Sequence, residues 1–204
     1  MPDSLPESNP VAGRLSALLE RHLRERPDGA VLVDAGRSIG YAEFDLLCLQ
    51  TAAWLRRQGI VPGDRVAIWL PNRVEWLTLV FGLARIGATA VACNTRYRAS
   101  ELEYLLQRSG ARLLVMQADF LGIDFAQVLR GIEPAALPAL QRVVLVGSGP
   151  AALIGKPTMT FDAFDPGATG VSGAPRPDAD EPDSSDPDAL TLLFTTSGDR
   201  KSVV

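Results

Sequence analysis

Apolar residues recur along the first third of the chain with a spacing that changes from segment to segment. The first segment carries a leucine face formed by Leu15, Leu18, Leu19 and Leu23. This spacing predicts an amphipathic helix that ends near Pro27. Two short strands are predicted next, at Ala30–Asp34 and Arg37–Gly40, and the Ala35-Gly36 pair between them is typical of a hairpin turn. Tyr41–Arg57 returns to helical spacing and predicts a long helix.

Further along, segments that are apolar on both faces alternate with helical segments. The predicted strands cover residues 65–70, 89–94, 112–116 and 142–146. The predicted helices cover residues 74–86, 101–107 and 125–132, and Ser100 with Glu103 forms a capping-box pattern for the second of them. Strands without a polar face are typical of a parallel sheet that helices cover on both sides. We therefore predict the α/β class, with parallel-rich sheet layers flanked by helices.

The composition fits a protein with a hydrophobic core and argues against two kinds of partner. Of the 204 residues, 47% are apolar and 22% are charged, which are ordinary values for globular proteins. The net charge of −4, without a basic stripe, argues against nucleic-acid binding. No apolar run reaches the length of a membrane span. Cys48 and Cys93 lack metal-ligand spacing, so we expect reduced, buried thiols in a cytoplasmic protein.

Changes in composition divide the chain into five parts. Residues 1–13 form a polar N-terminus that we expect to be flexible, and residues 14–165 form the α/β unit. Residues 166–188 are rich in Gly, Pro, Ser and Asp, and such a stretch cannot bury enough apolar surface to offset its chain entropy. We predict an exposed acidic linker there, with a non-catalytic interaction protein as an alternative. Residues 189–198 hold a strand and the start of a loop, and residues 199–204 form a tail.

A first candidate for phosphate binding follows the strand predicted at 142–146. Gly147, Gly149 and Ala152 form G-x-G-x-x-A, the pattern of a dinucleotide-binding turn, which would indicate a FAD- or NAD-dependent oxidoreductase. Pro157 leaves room for only a short helix after this motif, and residues 158–161 already have extended character. A proper crossover needs a dozen or more residues. The oxidoreductase therefore remains the alternative.

A second candidate lies near the C-terminus. The apolar run at 189–194 leads directly into Thr195, Thr196, Ser197 and Gly198. A buried strand that opens into such a loop can hold phosphate, because backbone N–H groups and hydroxyls donate hydrogen bonds and Gly lets the main chain approach. This pattern predicts a phosphate-binding loop that begins with Thr196, Ser197 and Gly198.

Several motifs, in the right order, resemble one enzyme family. Residues 59–68 resemble the family's GV-x-PGDRVAI turn and strand, residues 70–88 its LPN…E…GA helix, and residues 94–112 its fatty-acyl and medium-chain branch. Thr196-Ser197-Gly198 resembles the opening of its phosphate loop, T-S-G-[ST]-T-G-x-P-K. From about Leu15 onward, the chain therefore resembles the AMP-forming acyl-CoA synthetases, which are adenylate-forming enzymes.

The resemblance implies both a fold and an activity. The fold would be the N-terminal subdomain of the AMP-binding domain. The activity of the full-length parent would be to convert a fatty or medium-chain carboxylic acid into an acyl-adenylate and then into a coenzyme A thioester, with ATP, Mg²⁺ and coenzyme A. Thr196, Ser197 and Gly198 would begin the loop around the ATP phosphates. The resemblance assigns no catalytic and no metal-binding residue to this sequence.

The last six residues depart from the family pattern. After Gly198 the family has Ser or Thr, then Thr, Gly, a variable residue, Pro and Lys, whereas residues 199–204 read Asp-Arg-Lys-Ser-Val-Val. Those residues match one reading frame of a common short-read sequencing adapter, so we expect a non-native tail after an interrupted native sequence. A shortened loop, with Lys201 as the family lysine, is the alternative. We expect the 204-residue piece not to catalyse.

Overall fold

The computed structural model describes residues 15–34, 36–165 and 192–193. The α-helices of these ranges are α1 (Leu15–Glu25), α2 (Tyr41–Arg57), α3 (Val74–Arg85), α4 (Ala99–Ser109) and α5 (Phe125–Arg130). The strands are β1 (Ala30–Asp34), β2 (Arg37–Gly40), β3 (Arg65–Trp69), β4 (Thr89–Ala92), β5 (Leu113–Met116), β6 (Asp119–Phe120), β7 (Ile123–Asp124), β8 (Arg142–Leu145), β9 (Ala152–Leu153), β10 (Lys156–Thr160) and β11 (Leu192–Leu193).

Seven of these strands form the main sheet, in the order β11-β4-β3-β5-β8-β10-β9. All neighbouring pairs are parallel except β10 with β9. Ile68 of β3 pairs with Ala92 of β4 on one side and with Val115 of β5 on the other. The chain crosses the sheet in one direction from β3 to β4 and in the opposite direction from β4 to β5. Because parallel crossovers are right-handed, this reversal places helices on both faces.

Both faces of the sheet are buried beneath helices. Ala67 and Trp69 of β3 pack in the core with residues of α4 and α5, whereas Val66 and Ile68 pack with residues of α2 and α3. Successive side chains of a strand point in opposite directions, so a strand that is buried on both faces has no polar position. This is the physical reason for the uninterrupted apolar runs. The predicted α/β class with a mostly parallel sheet is confirmed.

The start of α4 differs from the sequence-based prediction. The helix begins at Ala99, and the backbone N–H of Arg98 donates to Oε2 of Glu101 at 3.0 Å. The predicted cap at Ser100 with Glu103 is therefore wrong by two residues. Both pairs have the three-residue spacing of a capping box, and the earlier start lets Ala99 pack against the core.

Several predicted parts fall outside the described residues. These are the flexible N-terminus at 1–13, the acidic linker at 166–188, and residues 194–204. Cys48 and Cys93 are buried and unbridged, as predicted. Across the part of the chain that is described, none of the helices combines the length and apolar character required to cross a membrane.

Candidate functional site

The carboxyl ends of β3, β4, β5, β8 and β11 lie at one edge of the sheet because these strands are parallel. In open α/β sheets, ligands bind in the crevice outside this edge. The sequence Leu70-Pro71-Asn72 follows β3, and Cys93-Asn94-Thr95 follows β4. These two loops form walls of a cleft, which we call the β3–β4 cleft.

The cleft between the two loops has a volume of about 540 Å³. Three aromatic and three polar side chains contribute to its wall: Trp76, Tyr97, Phe120, Asn72, Asn94 and Thr95. Among the described residues, no charged side chain lines it. A smaller cleft of about 300 Å³ shares Asn72 and Trp76 with it and extends toward Asp34 at the end of β1. The lining favours an uncharged, partly apolar occupant over a bare phosphate group.

A buried tryptophan fixes the wall that follows β4. Nε1 of Trp69 donates to the backbone oxygen of Asn94 at 2.9 Å. The Trp69 ring stacks on Phe125 with their centroids 4.2 Å apart, which joins this wall to α5. Oδ1 of Asn94 accepts a hydrogen bond from the Arg96 N–H at 2.9 Å, the local turn that Asn side chains favour. The loop that follows β4 is therefore fixed by Trp69 on its buried side and by a hydrogen bond within its own turn.

A single arginine fixes the loop that follows β3. Arg73 donates from Nε and Nη2 to the two carboxylate oxygens of Glu75, at 2.7 and 2.8 Å, and from Nη1 to Oε1 of Gln117 at 3.1 Å. Gln117 follows β5, so Arg73 joins the loops of two neighbouring strands. The winding direction reverses between these strands, which is where a doubly wound sheet usually leaves its crevice. Here Arg73 bridges that position, and most of the cleft lining comes from the loops that follow β3 and β4.

The predicted phosphate-loop residues Thr196, Ser197 and Gly198 lie outside the described residues. The strand predicted before them is described at Leu192–Leu193, which pair in parallel with Ala90 and Val91 of β4. The carboxyl end of β11 therefore lies at the same edge as the cleft. The strand is confirmed for these two residues, and the role of the loop stays a prediction.

The alternative dinucleotide motif lacks the helix that its chemistry requires. After β8 the chain turns at Gly147, whose φ is 91°, and enters β9 and then β10. β9 and β10 pair as a short antiparallel hairpin. A pyrophosphate-binding turn needs a helix N-terminus aimed at the ligand. The oxidoreductase alternative is therefore not favoured.

Cys93 lines the cleft, and its thiol is expected to be unreactive near neutral pH. Burial raises the pKa of Cys93 to about 12, against the smaller, opposite effect of a hydrogen bond with the Ile68 backbone. The thiol is therefore protonated near neutral pH, whereas a nucleophile or metal ligand would need the thiolate. Within residues 15–34, 36–165 and 192–193, no group of three His, Cys, Asp or Glu side chains could hold a metal ion.

Sequence reasoning missed the residues that shape this edge. Trp69, Arg73 and Gln117 were not singled out, because Trp69 contacts Asn94, 25 positions away, and Arg73 contacts Gln117, 44 positions away. Their partners become neighbours only when the strands align. The one available signal was the LPN…E pattern, which contains Asn72 and Glu75 but does not reveal their contacts.

Comparison with known proteins gives the family. The family described as AMP-binding enzyme matches residues 19–199. A putative acyl-CoA synthetase of Bacillus subtilis, YngI, is 42% identical over 126 residues, which cover 61% of this chain and 23% of that protein. The curated relative is therefore about four times longer than the part that matches.

Solved structures agree with this match. The Mycobacterium tuberculosis fatty acyl CoA synthetase has a TM-score of 0.63 at 25% identity, and the match covers 91% of this chain and 33% of that one. The anthranilate CoA ligase AuaEII, solved in complex with anthranoyl-AMP, has a TM-score of 0.55 at 30% identity, over 64% of this chain and 24% of that one. With 19–199 matched in sequence and a corresponding fold, the chain belongs to the AMP-binding enzyme family.

Proposed function

We propose that this chain is part of an enzyme that uses ATP to activate a fatty or medium-chain carboxylic acid and then transfers the acyl group to coenzyme A. The observation that supports the proposal is the register of β11 with β4 in a chain of the AMP-binding enzyme family. That register brings the carboxyl end of β11 to the edge that carries the uncharged cleft. The relatives named above as CoA ligases or synthetases are consistent with it.

In the proposed reaction, a carboxylate oxygen of the acid attacks the α-phosphorus of ATP and pyrophosphate leaves. The coenzyme A thiol then attacks the acyl carbon of the adenylate, and AMP leaves. Such transfers depend on positioning and on stabilising charge more than on covalent help from the protein. Thr196, Ser197 and Gly198 would supply hydroxyl and backbone donors to the phosphates. Mg²⁺ would neutralise phosphate charge, and we assign it to no described residue.

The proposal is tested by reading the gene past Gly198 and expressing the longer protein. The next codons should give Ser or Thr, Thr, Gly, a variable residue, Pro and Lys. The longer protein should exchange pyrophosphate into ATP only when a suitable acid is present. A folded longer protein with no acid-dependent exchange across a panel of fatty, medium-chain and aromatic acids would refute the proposal.

Two variants and the 204-residue chain sharpen the test. Ser197→Ala removes one proposed phosphate donor, and the loss of a single preorganised donor lowers kcat by about 10²-fold or more. Ser38→Ala removes an exposed hydroxyl in the β1–β2 hairpin and should leave the exchange unchanged. The 204-residue chain itself should release no pyrophosphate from ATP with Mg²⁺, coenzyme A and the same acids. Turnover by this chain would favour the shortened loop with Lys201.

A further inference from the structure

The β6–β7 hairpin carries an exposed leucine in an unfavourable backbone conformation. β6 and β7 pair antiparallel and are joined by Leu121 and Gly122, whose φ angles are 49° and 78°. Two positive φ angles are the pattern of a type I′ turn, which favours Asn-Gly because a Cβ is strained in this region. The Leu121 side chain is nevertheless 85% exposed. It combines backbone strain with exposed apolar surface.

A second hairpin of the same kind shows how such strain is normally offset. Ile154 and Gly155 join β9 to β10 with φ angles of 45° and 68°. The Ile154 side chain is only 9% exposed and packs in the core that lies beneath α4 and α5. Burial therefore compensates for the conformation of Ile154. Leu121 gains no such burial from the described part of the chain.

The base of the β6–β7 hairpin is firmly held, so its tip has a defined position. Phe120 packs against the core with its ring centroid 6.5 Å from that of Phe125. The N–H of Ala126 donates to the Ala118 oxygen at 3.0 Å, and Asp124 caps α5 by accepting from the Gln127 N–H at 2.7 Å. These contacts hold the turn in its strained form.

The tip lies at the carboxyl edge of the sheet, beside the β3–β4 cleft. Phe120 belongs both to the hairpin and to the cleft wall. Ile123, on the other strand of the hairpin, is 39% exposed and enlarges the apolar tip. Asp119 and Asp124 flank the tip as exposed polar residues. An apolar centre with a polar rim is the usual composition of a protein contact surface.

We propose that Leu121 and Ile123 form a docking contact for the remainder of the longer enzyme. This inference rests on the proposed function. Relatives extend to about four times the length that matches this chain, and β11, which precedes the unmatched part, ends at the edge that carries the tip. Strained backbone conformations are found most often at functional contact sites. Docking of Leu121 would provide the burial that Ile154 obtains within the chain.

The direction in which one substitution shifts the Tm tests this proposal. In the 204-residue chain, Leu121→Asn relieves the turn and loses no burial, so the Tm should rise by about 2–4 °C. In the longer protein the same substitution removes the docked side chain, so the Tm should fall by a similar amount. An equal rise in both proteins would overturn the proposal. Val61→Asn alters an exposed residue that precedes β3, at the opposite edge, and should shift both proteins alike.

Two further measurements separate the other outcomes. If sedimentation shows that the 204-residue chain is a dimer and that Leu121→Asn makes it monomeric, the occupant is a second copy and the proposal is overturned. An active longer protein without the reversal of sign would overturn the docking proposal and leave the proposed function intact. Reversal in a longer protein that activates no acid would support docking and count against the proposed function.

Discussion

Replacing Asp162 by alanine should destabilise the protein by removing the acceptor of a buried indole N–H. Trp54 lies in α2 and is 1% exposed, and its Nε1 donates to Oδ1 of Asp162 at 2.7 Å. Phe161 packs edge-on against the same indole with ring centroids 4.9 Å apart. Ala163 is fully buried in this core. The hydrogen bond thus fastens the segment that follows β10 onto α2.

The expected cost follows from the chemistry of the unpaired donor. A buried donor that loses its acceptor costs about 1–3 kcal/mol of the free energy of unfolding. For a protein of this size, each kcal/mol lowers the Tm by about 2–4 °C. Asp162→Asn is the matched control, because its amide oxygen can still accept, so its cost should stay below that of Asp162→Ala.

Urea unfolding followed by circular dichroism measures this cost without relying on the fluorescence of the residue concerned. Trp54→Phe removes the donor, and a double-mutant cycle with Asp162→Ala isolates the pairwise energy. We expect a coupling of about 1.5–3 kcal/mol, the range for hydrogen bonds to charged groups. A coupling within 0.3–0.5 kcal/mol of zero, about the additivity error of such cycles, would show that this contact does not hold the segment.

Two other predictions concern buried charge and buried thiols. Asp45 in α2 pairs with Arg85 in α3 at 2.6 Å. Asp45→Asn weakens this buried pair and should lower the free energy of unfolding in urea by about 3–5 kcal/mol. Glu43→Gln, in an exposed pair with Arg37, is the control and should lower it by less than about 1 kcal/mol. Burial also raises the pKa of Cys48 and of Cys93, the latter to about 12. Above about pH 9 the unfolded chain loses thiol protons that the folded chain keeps, so stability should fall with pH, and Cys93→Ala should reduce this slope; an unchanged slope would contradict the assignment.

The strands of the sheet could be predicted because burial on both faces leaves a local pattern in the sequence. A strand buried on both faces needs apolar residues throughout, and residues 66–70 and 143–146 display this in the sequence alone. Turn glycines mark the ends of helices, and Gly110 ends α4 with a φ of 62°. The start of α4 was predicted wrongly because Ser100 with Glu103 fits the usual capping pattern, whereas the observed cap, Arg98 with Glu101, has only its spacing. The observed start lets Ala99 pack against the core, and packing cannot be predicted from the spacing of a capping motif.

The shape of the edge could not be predicted, because it depends on contacts between distant residues. Arg73 and Gln117 are 44 positions apart, and Trp54 and Asp162 are 108 positions apart. Neither pair belongs to a periodic pattern. The left-handed conformation of Leu121 could not be predicted for a related reason. Leu-Gly is a poor signal for a hairpin turn, and the turn forms here because the paired strands β6 and β7 are anchored at their ends.

The order of the strands explains why β11 matters for the site more than its two described residues suggest. β10 and β11 are separated by β8, β5, β3 and β4, which corresponds to about 24 Å at the usual strand spacing. Roughly eight extended residues would cover that distance, whereas residues 161–191 lie between the two strands. The length of this connection therefore does not determine where β11 lies. Pairing with Ala90 and Val91 does, and that pairing brings the carboxyl end of β11 next to the loop after β4, which lines the cleft.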